Sequence, residues 1–293
     1  MSSDPTDAAA PDRPVPDRSA GIEPVPGVAK PDPILRADGI RRSFGGLTAV
    51  DVDHLEVQRG TITALIGPNG AGKSTLFNLL TGFDRVDSGQ WTYEGRSLQG
   101  LAGHQVARRG MVRTFQLTKA LTRMTVMDNM LLAAQGQVGE KMLGGLLRLW
   151  TTQEAANRKR AIELLERFKL DTKRDEMAGS LSGGQRKLLE MARALMVQPG
   201  MVMLDEPMAG VNPALVQSLL GHITALRDDG MTVLFVEHDM DVIMGISDWI
   251  VVLAEGKIIA EGCPDDIRSN TQVIDAYLGA SHDDPAAATG EDR

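Results

Sequence analysis

With 293 residues and 42% hydrophobic side chains, the chain can bury the core of one large α/β domain or two small ones, so disorder along its whole length is not expected. The formal net charge of −8 sits mostly at the ends: residues 1–33 hold six carboxylates against three cations and residues 281–293 four against one, which leaves a middle too near neutral for broad capture of nucleic acid. Cys263 stands alone, excluding an internal disulfide and fitting a reducing compartment, and no run reaches the roughly 18 apolar residues of a spanning helix, so any membrane role is expected to be peripheral.

Residues 1–33 are rich in Pro, Asp and Ala and lack the basic-then-apolar pattern of a secretion signal; they read as a disordered tail. Residues 35–57 alternate as antiparallel strands would, although Asp53 falls where an apolar residue is expected. The run from Thr61 to Ile66 reads as a buried strand, as do Met201 to Leu204 and Thr232 to Val236, and each ends at a chemically loaded residue. That placement fits a mainly parallel sheet covered by helices, with ligands at the carboxyl ends of its strands. Between them, residues 124–174 look helical, with Ala161, Leu164, Leu165 and Phe168 spaced along one face, which suggests a helical subdomain inserted over about 117–182. Met142 to Trp150 is apolar and is expected to pack within that subdomain rather than touch lipid or a membrane partner. A second disordered tail is expected over 281–293, and no internal repeat is visible.

The first strand runs into Gly67-Pro68-Asn69-Gly70-Ala71-Gly72-Lys73-Ser74-Thr75, a G-x-x-x-x-G-K-[ST] loop between strand and helix. Glycines let the backbone wrap phosphate with its N–H groups inward. Lys73 suits the β- and γ-phosphates, the Ser74 hydroxyl suits Mg²⁺, and Leu76, Phe77, Leu79 and Leu80 anchor a helix whose N-terminus faces the anion. The plain alternative is a Gly-rich turn. Asp205-Glu206 alone could be a solvated acidic turn; downstream of a phosphate loop, Asp205 suits a water-mediated Mg²⁺ contact and Glu206 the polarisation of an attacking water. Leu181-Ser182-Gly183-Gly184-Gln185 precedes a helix, where Ser182 could simply be its cap.

Together these stretches resemble the nucleotide-binding domain of ABC transporters over residues 34–280: an α/β P-loop NTPase with an antiparallel β subdomain and an inserted helical subdomain. Gly67 to Thr75 is similar to the Walker A motif, Leu181 to Gln185 to the family signature, and Met201 to Glu206 to Walker B with its catalytic glutamate. The resemblance implies that Gln116, in Arg113-Thr114-Phe115-Gln116, touches Mg²⁺ and senses the membrane partner, that His238 contacts the γ-phosphate, and that Phe44 stacks on adenine. It further implies ATP and Mg²⁺ as ligands and a head-to-tail dimer in which Ser182 and Gly184 of one subunit close the ATP held by Lys73 of the other. Asn212 stands in the D-loop, where many such proteins have Asp, which puts any charge-based role there in doubt. His54, His104, His222 and His282 fall on no motif and are read as structural.

Phe44-Gly45-Gly46-Leu47, Arg113 to Gln116, Glu206 to Pro213 and Val273 to Gly279 resemble the ATPase subunits of branched-chain amino-acid importers. That implies a peripheral protein at the cytoplasmic face of the membrane, with a second and preferably different ATPase subunit, two permeases and an external solute-binding protein. Urea or amide importers and lipid or lipopolysaccharide exporters use similar subunits. A soluble ABC ATPase acting in translation or DNA repair would usually carry two cassettes or a long coiled coil, and a regulatory module would lack Glu206 or His238; neither description fits.

Overall fold

The computed structural model describes residues 19, 21–114, 121–134 and 149–280. Strands β1 (Pro33–Phe44), β2 (Leu47–Gln58), β4 (Ser88–Tyr93) and β5 (Arg96–Ser97) form an antiparallel sheet in the order β2-β1-β4-β5. Leu35 faces Val57, Ala37 faces Leu55 and Ile40 faces Val52 across the first pair. The inward side changes parity along both strands: Val50 and Val52 are buried, then Leu55 and Val57, while Ala37 gives way to Ile40. Gly39 takes φ 61° at this step on β1, a conformation that costs a side-chain-bearing residue more than glycine. Asp53 therefore faces water at the parity change, which resolves the misfit in the alternation.

The second sheet contains β3 (Ile62–Ile66), β6 (Met111–Arg113), β7 (Met201–Asp205), β8 (Thr232–Val236), β9 (Trp249–Ala254) and β10 (Lys257–Gly262), in the order β10-β9-β3-β8-β7-β6. All pairs are parallel except β10 with β9. Its central strands are continuous apolar runs because both faces are covered. On one face Ile62, Ala64, Val202, Leu204, Val233 and Phe235 join the helical side of the core. On the other, Leu65, Met201, Met203, Leu234 and Val236 meet the antiparallel sheet and helix α1 (Lys73–Leu80), which buries Leu76, Phe77, Leu79 and Leu80.

A short helix α2 (Gly103–Arg108) precedes β6. Helices α3 (Val126–Ala133), α4 (Leu149–Arg167) and α5 (Gly183–Leu195) form the helical part. Ala161, Leu164 and Leu165 of α4, with Phe168 just beyond it, are buried as the spacing predicts. Asn129 is fully buried and ties this region down: its side chain accepts from Leu121 N (2.9 Å) and donates to the carbonyls of Leu121 (3.1 Å) and Thr125 (2.9 Å). The apolar stretch 142–148 lies outside the described residues. Helices α6 (Pro213–Asp228), α7 (Met240–Ile246), α8 (Pro264–Arg268) and α9 (Thr271–Ala280) complete the fold. No described helix is long and apolar enough to cross a membrane.

The expected N-terminal tail is corrected from residue 21 onward. Lys30 is buried, and its ammonium lies 2.9 Å from Glu261 and 4.1 Å from the ring centre of Trp249. Glu261 also accepts from Gly27 N (2.8 Å) and Trp249 Nε1 (3.0 Å), and Lys30 N donates to Glu56 (2.6 Å). Average composition cannot register one buried ion pair that, with Ile22 and Val28 packed on the core, fastens residues 21–32 to β2, β9 and β10. Removing one member of such a pair leaves the other charged in a dry site. Lys30→Met is expected to lower the unfolding free energy in urea by about 3 kcal/mol; a change below about 1 kcal/mol would show that this segment contributes little to the fold.

Candidate functional site

Strand β3 ends at the fully buried Ile66, and the phosphate loop then turns into α1. The loop is pressed against two neighbours: a Cβ on Gly67 would run into the Leu253 carbonyl of β9, and one on Gly72 into the Ala49 carbonyl of β2. Gly72 also takes φ 99° as the residue capping α1. The β9–β10 turn props the loop from below, with Gly256 N donating to Ala71 O (3.0 Å). Helix α1 opens with neither a side-chain cap nor an acidic residue in its first turn, so its N–H groups and dipole are left to attract an anion. Lys73 donates to the carbonyls of Gly67 (2.6 Å) and Pro68 (2.9 Å), closing the loop around its own ammonium. Burial pushes the Lys73 pKa down, and the Glu206 carboxylate works against that shift.

Strand β8, next to β3 in the sheet, and strand β7, next to β8, deliver the other groups. Asp205, the last residue of β7, is ion-paired to Arg113 at 2.5 Å with both side chains nearly buried. Arg113 also donates to Asn78 Oδ1 of α1 (2.6 Å), and Thr114 N donates to Met203 O (2.9 Å), so the exit of β6 is bound to both elements. Glu206 adopts φ 47°, unusual for a side-chain-bearing residue and a form of strain that concentrates at functional sites, while its N donates to Val236 O at 3.0 Å. His238, after β8, is exposed and brings Nδ1 to 3.8 Å from Glu206 Oε1.

Lys73, Asp205, Glu206 and His238 thus meet at the carboxyl ends of adjacent strands, whereas the remaining predicted residues lie on other elements. Phe44 ends β1 and is 49% exposed, with the Arg42 guanidinium 4.6 Å from its ring centre. Ser182 caps α5 by a reciprocal pair: it accepts from Gln185 N (3.2 Å), and Gln185 Oε1 accepts from Ser182 N (3.0 Å). Gly184 lies against the Leu215 side chain of α6, which would have to move to admit a Cβ, and Leu181 is buried. Asn212 precedes Pro213 at the start of α6, and its carbonyl accepts from Leu215 N (2.8 Å). Gln116 lies outside the described residues.

Arg113 and Glu237 were given no role by the residue patterns, although each ends or directly follows a strand of the parallel sheet, the position that flagged Glu206. His222 stacks 4.6 Å from Phe168 and burial lowers its pKa, in keeping with a structural role. His54 departs from a plain core histidine, lying 2.6 Å from Asp38 and 3.3 Å from Glu56. Gly72→Ala is expected to weaken nucleotide binding at least tenfold in a fluorescence titration, since the loop must leave the Ala49 carbonyl; unaltered affinity would show that the observed loop shape is not needed. Arg113→Met should cost about 3 kcal/mol in urea by stranding the Asp205 carboxylate, and adding Asp205→Asn should recover part of that loss.

The chain matches the ABC transporter family over residues 50–209 and the family described as branched-chain amino acid ATP-binding cassette transporter over residues 257–283. It is 41% identical to the probable branched-chain amino acid transport ATP-binding protein LivG of Archaeoglobus fulgidus, over 84% of this chain and 96% of that protein. It is 42% identical to the high-affinity branched-chain amino acid transport ATP-binding protein BraF of Pseudomonas aeruginosa, over 84% of this chain and 98% of that protein. A nucleotide-free ATP-binding cassette from an ABC transporter superposes with a TM-score of 0.72 at 38% identity, covering 84% of this chain and 98% of that one. An ADP-bound cassette gives 0.72 at 36% identity, covering 84% and 99%. With the phosphate loop, the paired carboxylates of β7 and the histidine after β8 at one sheet end, the chain belongs to the ABC transporter family as an ATP-binding cassette.

Proposed function

We propose that this chain is the ATP-hydrolysing subunit of an importer for branched-chain or other hydrophobic amino acids. The observation that carries the ATPase reading is the convergence of Lys73, Asp205, Glu206 and His238 on the ends of β3, β7 and β8. The cargo reading rests on the match over residues 257–283 and on the relatives' names.

In this reading, ATP lays its phosphates on the N-terminus of α1. The Lys73 ammonium then exchanges the Gly67 and Pro68 carbonyls for phosphate oxygens. Ser74 and Asp205 supply a hydroxyl and a carboxylate, hard oxygen donors that suit Mg²⁺, which typically takes one or two protein carboxylates and fills its remaining positions with water and phosphate. Bound there, the ion would neutralise charge on the β- and γ-phosphates. Glu206 orients the attacking water and draws its proton, His238 holds the γ-phosphate, and Gln116 reports on the membrane partner. Phe44, exposed at the end of β1, stacks on the adenine.

The exposed Ser182 and the α5 N-terminus reach the γ-phosphate of a second cassette, so each site is completed in trans. A different ATPase subunit, two permeases and an external solute-binding protein complete the assembly at the cytoplasmic face of the membrane. Glu206→Gln should keep ATP affinity within about threefold while lowering phosphate release at least a hundredfold, whereas Lys73→Ala should lose binding itself. Phosphate release at the unmodified rate in Glu206→Gln would remove Glu206 from the catalytic role. Loss of labelled leucine uptake in a strain lacking the chain, restored by the chain and not by Glu206→Gln, tests the cargo; unchanged leucine uptake would refute it.

A further inference from the structure

We infer that Glu237 is a positioning residue that locks the loop after β7 to His238, so that a movement of the D-loop at the dimer face is passed to the γ-phosphate contact. The inference rests on the assignment of His238 and Glu206 proposed above.

Glu237 follows the last residue of β8 and is 2% exposed. Among the described residues it makes no ion pair. Its compensation is two backbone amides: Oε1 accepts from Met208 N at 2.8 Å and Oε2 from His238 N at 3.4 Å. A carboxylate buried without a countercharge is expensive, and burial accordingly raises its pKa, with the nearby Glu206 adding to the rise. An apolar residue could fill the same volume at lower cost, but it could not accept from two loops at once.

The two amides belong to different loops. Met208 lies two residues after Glu206, and His238 directly follows Glu237. A second tie runs alongside the first, from Glu206 N to Val236 O at 3.0 Å. Residues 206 and 208 are therefore both fastened to the end of β8. Beyond them the turn is continuous: Ala209 N donates to Glu206 O (3.1 Å), and Val211 N to Met208 O (3.1 Å). Met208, Ala209, Gly210 and Val211 line a cleft of about 530 Å³ together with Glu237 and His238. The carboxylate joins the two loops by hydrogen bonds, beside the 3.8 Å approach of His238 Nδ1 to Glu206 Oε1, so a shift of residues 209–212 draws on it. It acts through His238 and the loop and touches no reacting atom.

In Glu237→Gln one oxygen still accepts, but the amide NH₂ faces a backbone N–H and the second tie is lost. The kcat for ATP hydrolysis by the full chain is expected to fall about tenfold, while KM for ATP does not rise by more than twofold, because the phosphate loop is untouched. His238→Ala alone should slow hydrolysis, and adding Glu237→Gln to it should cost less than a further twofold. A kcat within twofold of the unmodified chain in Glu237→Gln, or losses that multiply fully in the double variant, would overturn the inference. An unaltered rate in His238→Ala would instead sink the assignment of His238, and this inference with it. Should Glu237→Gln fail to fold, hydrogen exchange on the Glu206→Gln chain, with Glu237 intact, decides: the amides of Met208 and His238 should slow by the same factor when ATP is added, and factors differing tenfold would refute the link.

Discussion

The parallel sheet is dry on both faces, and that condition determines where chemistry can occur in this chain. Strands β3, β7 and β8 bury every residue along their length, one set of side chains against the helices and the alternate set against α1 and the antiparallel sheet. A charged side chain inside such a strand would lose its hydration without gaining a partner, so the charged groups gather at the strand ends, while the one hydroxyl within β3, that of Thr63, meets Thr61. There the parallel arrangement sets neighbouring carboxyl ends side by side. Lys73, Asp205, Glu206 and His238 are brought together by that rule before any specific contact among them is considered.

Three sets of charges that enter the interior connect separate elements. Lys30 with Glu261 fastens the N-terminal segment to β9 and β10. Arg113 with Asp205 joins β6, β7 and α1 at the base of the phosphate site. Glu237 spans the loops after β7 and β8. In all three cases the low local dielectric that makes the charge expensive also makes its partner hard to give up, which favours a single arrangement of the joined elements. The phosphate loop differs. Lys73 is held by two carbonyls of its own loop, partners that a phosphate can replace without stranding another charge.

Local chemistry was legible wherever one short stretch carried it. Gly67 and Gly72 have a position-specific need for glycine because a neighbouring carbonyl occupies the space of a Cβ, and that need shows directly in the motif. Ser182 and Gln185 form a capping pair three residues apart, visible in the order of residues alone. Arg113 and Glu237 were not legible in this way. Their partners lie 92 and 29 residues distant, and no local pattern marks a buried charge as distinct from a solvated one. Residues 21–32 show the same limit: averaged over 1–33 the composition is that of a tail, yet Lys30 is buried against Glu261 and Ile22 and Val28 pack on the core.

The order of residues by itself determined the phosphate loop, the three buried strands, the amphipathic face of α4 and the paired carboxylates at Asp205 and Glu206, because each depends on spacing within a turn or a strand. Only the tertiary structure decided that Asp205 is held by Arg113, that Glu237 ties the loop of Glu206 to His238, and that the chain becomes anchored from residue 21 onward. Those outcomes depend on which distant groups meet in a dry interior, where a single pairing outweighs the average character of the segment that carries it.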